Sequence, residues 1–232
     1  MEIIYEGTLN NKKEQYQVSP LSMSHIKQIL TLQELVVDAL ENKEILQPLN
    51  TQEFENILGG NGFMIGAFVK KQLIAFRALL VPEIDQDHLG LDIGLGENDL
   101  SKVIYQEISN VHPEYRGNRL QQTLATLIMQ ELKKHTNNYA YICCTVAPSN
   151  IPSLKDKFAQ DMEMAALKEK YGGRLRYIFV KGLEEKSDRK WEETATLRMD
   201  DISGQQALLK KGWRGIQMQV KDSEYWVEFG KR

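Results

Sequence analysis

SKVIYQEISNVHPEYRGNRLQQTLATLIMQELKK, residues Ser101 to Lys134, decides the fold of this chain. Val103 to Val111 reads as a strand. Val103, Tyr105, Glu107, Ser109 and Val111 would share one face, and Ile104, Gln106, Ile108 and Asn110 the other. His112-Pro113 ends it, because proline donates no ladder hydrogen bond and pushes the preceding residue out of helical space. A helix is expected from near Asn118, where Leu120, Leu124, Leu127, Ile128 and Leu132 fall on one apolar stripe.

Between strand and helix lies Tyr115-Arg116-Gly117-Asn118-Arg119-Leu120-Gln121. The first turn of a helix leaves main-chain N–H groups without intrahelical partners, and the helix dipole adds partial positive charge. An anion can take up both, and Arg116 and Arg119 would add charge-assisted bonds. Taken alone, two arginines near a helix start are ordinarily solvated charge.

The run VHPEYRGNRLQQTLATLIMQEL also resembles the acyl-CoA pyrophosphate loop of the GNAT acetyltransferase superfamily. The consensus there is Gln or Arg, two residues, Gly, one residue, then Gly or Ala, after a Val-x-Pro-x-Tyr-Arg-Gly lead-in. Arg116 matches the first position and Gly117 the companion glycine. Arg119 replaces the first consensus glycine and Gln121 the small last residue. Glycine lets a ligand approach the backbone closely, so these departures bear on how the donor sits. Helical dihedrals would suit both residues and keep the N–H cradle. The resemblance thus implies acetyl-CoA held by Arg116, Gly117, Asn118, Arg119, Leu120 and Gln121.

Val146-Ala147-Pro148-Ser149-Asn150-Ile151-Pro152-Ser153-Leu154 resembles a second segment of that family, V-x-P-x-N-x-x-S/A, whose asparagine bonds the pantetheine arm. Asn150 and Ser153 are the residues this resemblance adds. Read without it, Pro148-Ser149-Asn150 is a turn and Ser153 the cap of a helix running to about Met164. Its place after a strand at Tyr139 to Val146 agrees with the family order.

With 232 residues and 42% hydrophobic content, the chain can form one large domain or a domain with an appendage. A formal net charge of -3, with no basic tail or repeat, argues against nucleic acid as main partner. No signal sequence or membrane-length apolar run is read, and Cys143 and Cys144 are adjacent in a strand and cannot readily pair. A reducing cytoplasm fits. His25, His88, His112 and His135 do not cluster, and no Cys/His spacing suggests a metal.

Glu2 to Tyr5 and Gln15 to Val18 suggest a hairpin across Asn10-Asn11. A helix follows from Ser24 to Leu40, then a shorter one capped by Thr51 and stopped by Gly59-Gly60-Asn61-Gly62. Phe63 to Val69 and Leu73 to Val81 form a hairpin about Lys70-Lys71-Gln72, and Glu83 to Leu100 a long loop. After Tyr171-Gly172-Gly173 comes a strand to Val180. Glu184 to Glu193 is a charged connection, Thr196 to Met199 a strand, and Ser203 to Lys211 a helix capped by Ser203. A last hairpin joins Gly215 to Val220 with Tyr225 to Phe229.

This order is similar to the GNAT acyl-CoA N-acyltransferase fold, an α/β (α+β) arrangement with a mixed, mostly antiparallel sheet flanked by helices. The resemblance covers roughly Met23 to Leu183 and is sharp from Glu107 to Ser153. It implies a domain over residues 1–183 and an extension over 184–232 packed on it.

Direct attack of an amine on a thioester needs a neutral amine, a polarised carbonyl and a stabilised thiolate. The resemblance makes Glu107 the base, its pKa raised by burial. A solvated strand-face glutamate is the alternative. A main-chain N–H between Ile108 and Val111, on a strand bulge, would meet the carbonyl. Many relatives carry a tyrosine acid seven residues after the asparagine, where this chain has Lys157. Tyr171, a water, or no acid at all are the options, and Tyr171 can equally be a turn residue. The cysteines read as core rather than nucleophiles.

An N-acyltransferase for a small-molecule or peptide amine, an acyl-CoA binder with weak or no catalysis, and a scaffold whose Arg119 excludes the donor all remain open. So does a homodimer. The acceptor pocket is expected from the N-terminal helices, the Glu83 to Leu100 loop and the C-terminal tail.

Overall fold

The computed structural model describes residues 2–11, 13–134, 139–183 and 190–232. In chain order the strands and helices begin with β1 Tyr5–Thr8, β2 Gln15–Pro20, α1 Ile26–Asp38, α2 Thr51–Asn56, β3 Gly62–Val69, β4 Gln72–Leu80 and α3 Leu89–Asp92. There follow β5 Val103–Val111, α4 Leu120–Leu132, β6 Tyr141–Val146, α5 Ile151–Ala159, β7 Glu163–Lys170 and β8 Arg174–Gly182. The last are β9 Glu193–Arg198, α6 Ile202–Lys210, β10 Arg214–Lys221 and β11 Glu224–Lys231. Among the described residues no helix is long and apolar enough to cross a membrane.

Two compact units emerge, Met1–Pro82 with Tyr105–Asn137, and Glu83–Ile104 with Asn138–Arg232. In the first, β1 to β5 pair antiparallel in chain order. The β3–β4 hairpin turns on Lys70 and Lys71, both with positive φ (47° and 71°), which matches the twist of a tight hairpin without a glycine. One sheet face packs on α1 and α2 through Ile29, Leu32, Phe54, Met64, Phe76 and Ile108. Phe54 and Phe76 meet edge to face, 5.8 Å between centroids. Gln33, buried in α1, exchanges hydrogen bonds with both main-chain groups of Leu49, at 2.7 and 2.9 Å, anchoring the connection to α2.

In the second unit the order is β6, β8, β7, β10, β11, β9, again antiparallel at every pair. β10 joins β7 through one residue pair, Gly215 with Met164. A Cβ at Gly215 would stand 2.9 Å from the Cβ of Met164, so glycine permits this approach. Buried Gln205 on α6 accepts from the Tyr177 hydroxyl at 2.8 Å and donates to the carbonyls of Arg198 and Met199 at 2.9 and 3.0 Å. Residues 190–232 thereby continue the sheet begun by residues 139–183.

Several boundaries differ from the sequence reading. The first strand begins at Tyr5, and Glu83 to Leu100 contains α3 and a 3₁₀ segment, Glu97–Lys102, rather than loop alone. Asn50, Asn150 and Asp201 cap α2, α5 and α6, not Thr51, Ser153 and Ser203. Each Asx oxygen accepts a main-chain N–H in the first turn. α5 ends at Ala159, and Met164 belongs to β7. His135 and residues 184–189 of the expected charged connection lie outside the described residues.

Candidate active site

In the first unit β5 ends at Val111. Pro113–Tyr115 forms one 3₁₀ turn whose His112 Nδ1 accepts from the Glu114 N–H at 3.2 Å. Tyr115 is buried against the His112 ring, 5.4 Å between centroids. The chain then crosses Arg116 to Arg119 and enters α4 at Leu120, two residues later than expected. The stripe of Leu120, Leu124, Leu127, Ile128 and Leu132 is buried as read.

Arg119 corrects the sequence reading most directly. Its backbone is left-handed, φ 58° and ψ 18°, not helical, and it occupies the N-cap. Gly117 also has positive φ, 80°. The chain reverses between strand and helix through two left-handed residues, Gly117 and Arg119. A non-glycine residue there costs roughly 1–2 kcal/mol.

Among the described residues no acceptor meets the main-chain N–H groups of residues 117–122. Arg116, Gly117 and Arg119 are exposed, and Gln121 is half-buried. This donor-rich helix start, beside two guanidinium groups, has the chemistry of a phosphate cradle. Asn118 and Leu120 are buried, so their contribution to it is main-chain only. The Asn118 side chain is already engaged: Oδ1 accepts from the Asn11 N–H at 3.0 Å, and Nδ2 donates to the Tyr115 carbonyl at 3.0 Å.

On β5 the ladder with β4 runs Ala75 to Val111, Phe76 to Asn110, Arg77 to Ser109 and Ala78 to Ile108, then jumps to Leu79 with Gln106. Glu107 is the extra residue of a β-bulge. The bulge therefore lies just before the expected Ile108 to Val111 span. It also breaks the expected alternation, because residues opposed in a ladder share a face. Gln106, Ser109 and Val111 pair with Leu79, Arg77 and Ala75, whereas Ile108 packs with α1 and α2.

Protein atoms crowd the Glu107 carboxyl although part of the residue reaches solvent. Burial first, and the Glu53 carboxylate of α2 second, raise its pKa to about 7. A carboxyl that changes charge near neutrality suits proton transfer.

Arg77, in the middle of the apolar run of β4, is absent from the site residues that the sequence suggests. It is 1% exposed. Its Nη2 donates to Gln106 Oε1 at 2.6 Å, and its Nη1 to the Gln121 carbonyl at 3.1 Å. The signal available in the sequence was a lone charge within LIAFRALL, since an arginine is seldom buried without bonded partners.

The remaining candidates belong to the second unit. Asn150 Oδ1 accepts the Ser153 N–H at 3.2 Å as the cap of α5. Lys157 is buried and ion-paired with Asp156 at 3.3 Å. Tyr171 is 50% exposed with φ 52°, on the turn it forms with Gly172 and Gly173, and its hydroxyl bonds Thr145 Oγ1 at 3.0 Å. Cys143 and Cys144 are free, buried thiols, and burial pushes the Cys143 pKa up, away from thiolate chemistry. Among the described residues no three His, Cys, Asp or Glu side chains gather as a metal site.

No family model matches the sequence, and no curated protein matches it. Solved structures do match in fold. The ribosomal-protein-S18-alanine N-acetyltransferase from Escherichia coli aligns at TM-score 0.55 and 14% identity, over 76% of this chain and 99% of its own. An N-acetyltransferase from Staphylococcus aureus Mu50 aligns at 0.54 and 13%, over 73% and 99%. Arabidopsis thaliana NAA60, solved in complex with acetyl-CoA, aligns at 0.54 and 13%, over 73% and 99%. The chain has the fold of the GNAT N-acetyltransferases, the α/β arrangement with a mostly antiparallel sheet and flanking helices that its sequence resembles.

Proposed function

We propose that the protein transfers an acetyl group from acetyl-CoA to a primary amine by direct attack. The observation that carries this reading is the run of main-chain donors over residues 117–122, which starts ten residues past the β5 bulge at Glu107. Arg116, Arg119 and these N–H groups fit the diphosphate of the donor, which supplies the activated thioester. Glu107, ionised, takes a proton from the acceptor ammonium or from the nitrogen as it attacks. The nitrogen–carbonyl bond forms, the carbon–sulfur bond breaks, and the thiolate leaves with a proton from solvent or an acid. The acceptor is a small-molecule or peptide amine.

A second reading, an acyl-CoA binder with weak or no turnover, is favoured by Lys157. It stands where the resemblance places a tyrosine acid, and it is held in an ion pair. Tyr171, the substitute hydroxyl, is bonded to Thr145.

Thermal unfolding with acetyl-CoA tests donor binding, since a ligand at a hundred times its Kd adds about 2.7 kcal/mol to stability. No rise at millimolar donor removes both readings. Thiol release across a panel of amines then separates enzyme from binder.

A further inference from the structure

We propose that Arg77 is a positioning residue that holds the β5 bulge bearing Glu107 and the first turn of α4 in one fixed spacing. This rests on the proposed function only for its consequence in catalysis; the clamp itself is read from the first unit's geometry.

Arg77 sits opposite Ser109, one ladder step beyond the bulge. Its fork reaches back to Gln106 on the other side, at 2.6 Å, so the extra residue Glu107 and its ladder neighbour Ile108 are bracketed by one guanidinium. The other arm of the fork, 3.1 Å from the Gln121 carbonyl, holds the turn whose N–H groups form the cradle. A helix carbonyl has a second lone pair, so this bond adds to the helix ladder without replacing it.

Burying a guanidinium is expensive unless its donors are satisfied in fixed directions, and arginine's planar fork does this where lysine's point charge cannot. A strand bulge on one side and a left-handed helix entry on the other are both departures from regular structure. One rigid group joins them. Slackening it lets water reach Glu107 and lets the cradle's donors lose their common aim.

Arg77→Lys keeps the charge and loses the fork, while Gln106→Met removes one arm and leaves Arg77 in place. The readouts are titration of the Glu107 carboxyl by carbon NMR, assigned with Glu107→Gln, and calorimetric affinity for coenzyme A, each on variants shown to be folded. Neither needs turnover. The clamp predicts that both variants move the Glu107 midpoint from about 7 toward the ordinary carboxylate range. It also predicts that Arg77→Lys alone weakens coenzyme A by roughly tenfold, the scale of one charge-assisted bond. A fall in Tm with midpoint and affinity both unmoved makes Arg77 a core strut only and overturns the inference. Wild-type protein that takes up no coenzyme A sinks the donor reading instead, and the NMR midpoints still decide the clamp.

Discussion

The main-chain N–H of Asn11 donates to Oδ1 of Asn118 at 3.0 Å, tying the turn between the first two strands to the loop before α4 across 107 residues of sequence. The Nδ2 of Asn11 lies 3.3 Å from where a Cβ on residue 117 would stand, so Gly117 is wanted both for its left-handed φ and for room. The N-terminal hairpin is therefore part of what shapes the candidate cradle. Asn118→Ala removes the anchor from a buried position, and with it the bonds to the Asn11 N–H and the Tyr115 carbonyl. Expected is a loss of about 1–3 kcal/mol in chemical denaturation, with coenzyme A affinity falling beyond what the lost stability explains. Unchanged affinity in the folded variant detaches the hairpin from the cradle.

Arg119 supplies two effects that oppose each other. Its left-handed backbone is unfavourable for a residue with a Cβ, whereas its guanidinium favours an anion. Arg119→Gly relieves the first and removes the second. The apo protein is expected to gain up to about 1 kcal/mol, with affinity for coenzyme A reduced several-fold, and Arg116→Ala to weaken binding without the gain. Tighter binding by Arg119→Gly would mean that the side chain obstructs the donor.

How much of this was legible depends on whether a residue's own chemistry or its surroundings decide the outcome. β5 is readable to the residue because Pro113 bounds it, and the α4 stripe because burial repeats at helical spacing. The bulge at Glu107 is not, since no glycine or proline marks the inserted residue. The helix caps fail for a nearer reason: Thr51, Ser153 and Ser203 each follow an Asn or Asp within three residues. The earlier Asx side chain accepts the first-turn N–H in each case. Arg119 is misread because propensity concerns the residue, while the chain reversal between β5 and α4 dictates the dihedral. Arg77 is missed because Gln106 and Gln121, to which it donates, lie far away in sequence.

Cys143 and Cys144 are buried strand residues, and the elevated pKa of Cys143 leaves its thiolate scarce at neutral pH. Native protein is expected to resist iodoacetamide at pH 8, and both thiols to react once it is unfolded, as read by intact mass. Fast labelling of the folded protein at Cys143 would restore a thiol to the list of candidate groups.

Glu107 makes the sharpest pH prediction, since catalysis and stability respond in opposite directions. As a base it must be ionised, so thiol release should rise with pH through a midpoint near 7 and level off above it. For stability, the folded pKa lies above the unfolded value near 4.5, so the protonated form is the one the fold prefers. That contribution is full below about pH 4.5 and is lost as pH rises to 7. Its upper size is on the order of 3 kcal/mol, and smaller because the residue partly meets solvent. Glu107→Gln carries no charge to desolvate. It should therefore melt higher than wild type at pH 8, come close to it at pH 4, bind coenzyme A as before and lose most of its turnover. Equal melting temperatures at pH 8, with turnover retained, would leave Glu107 a solvated strand residue.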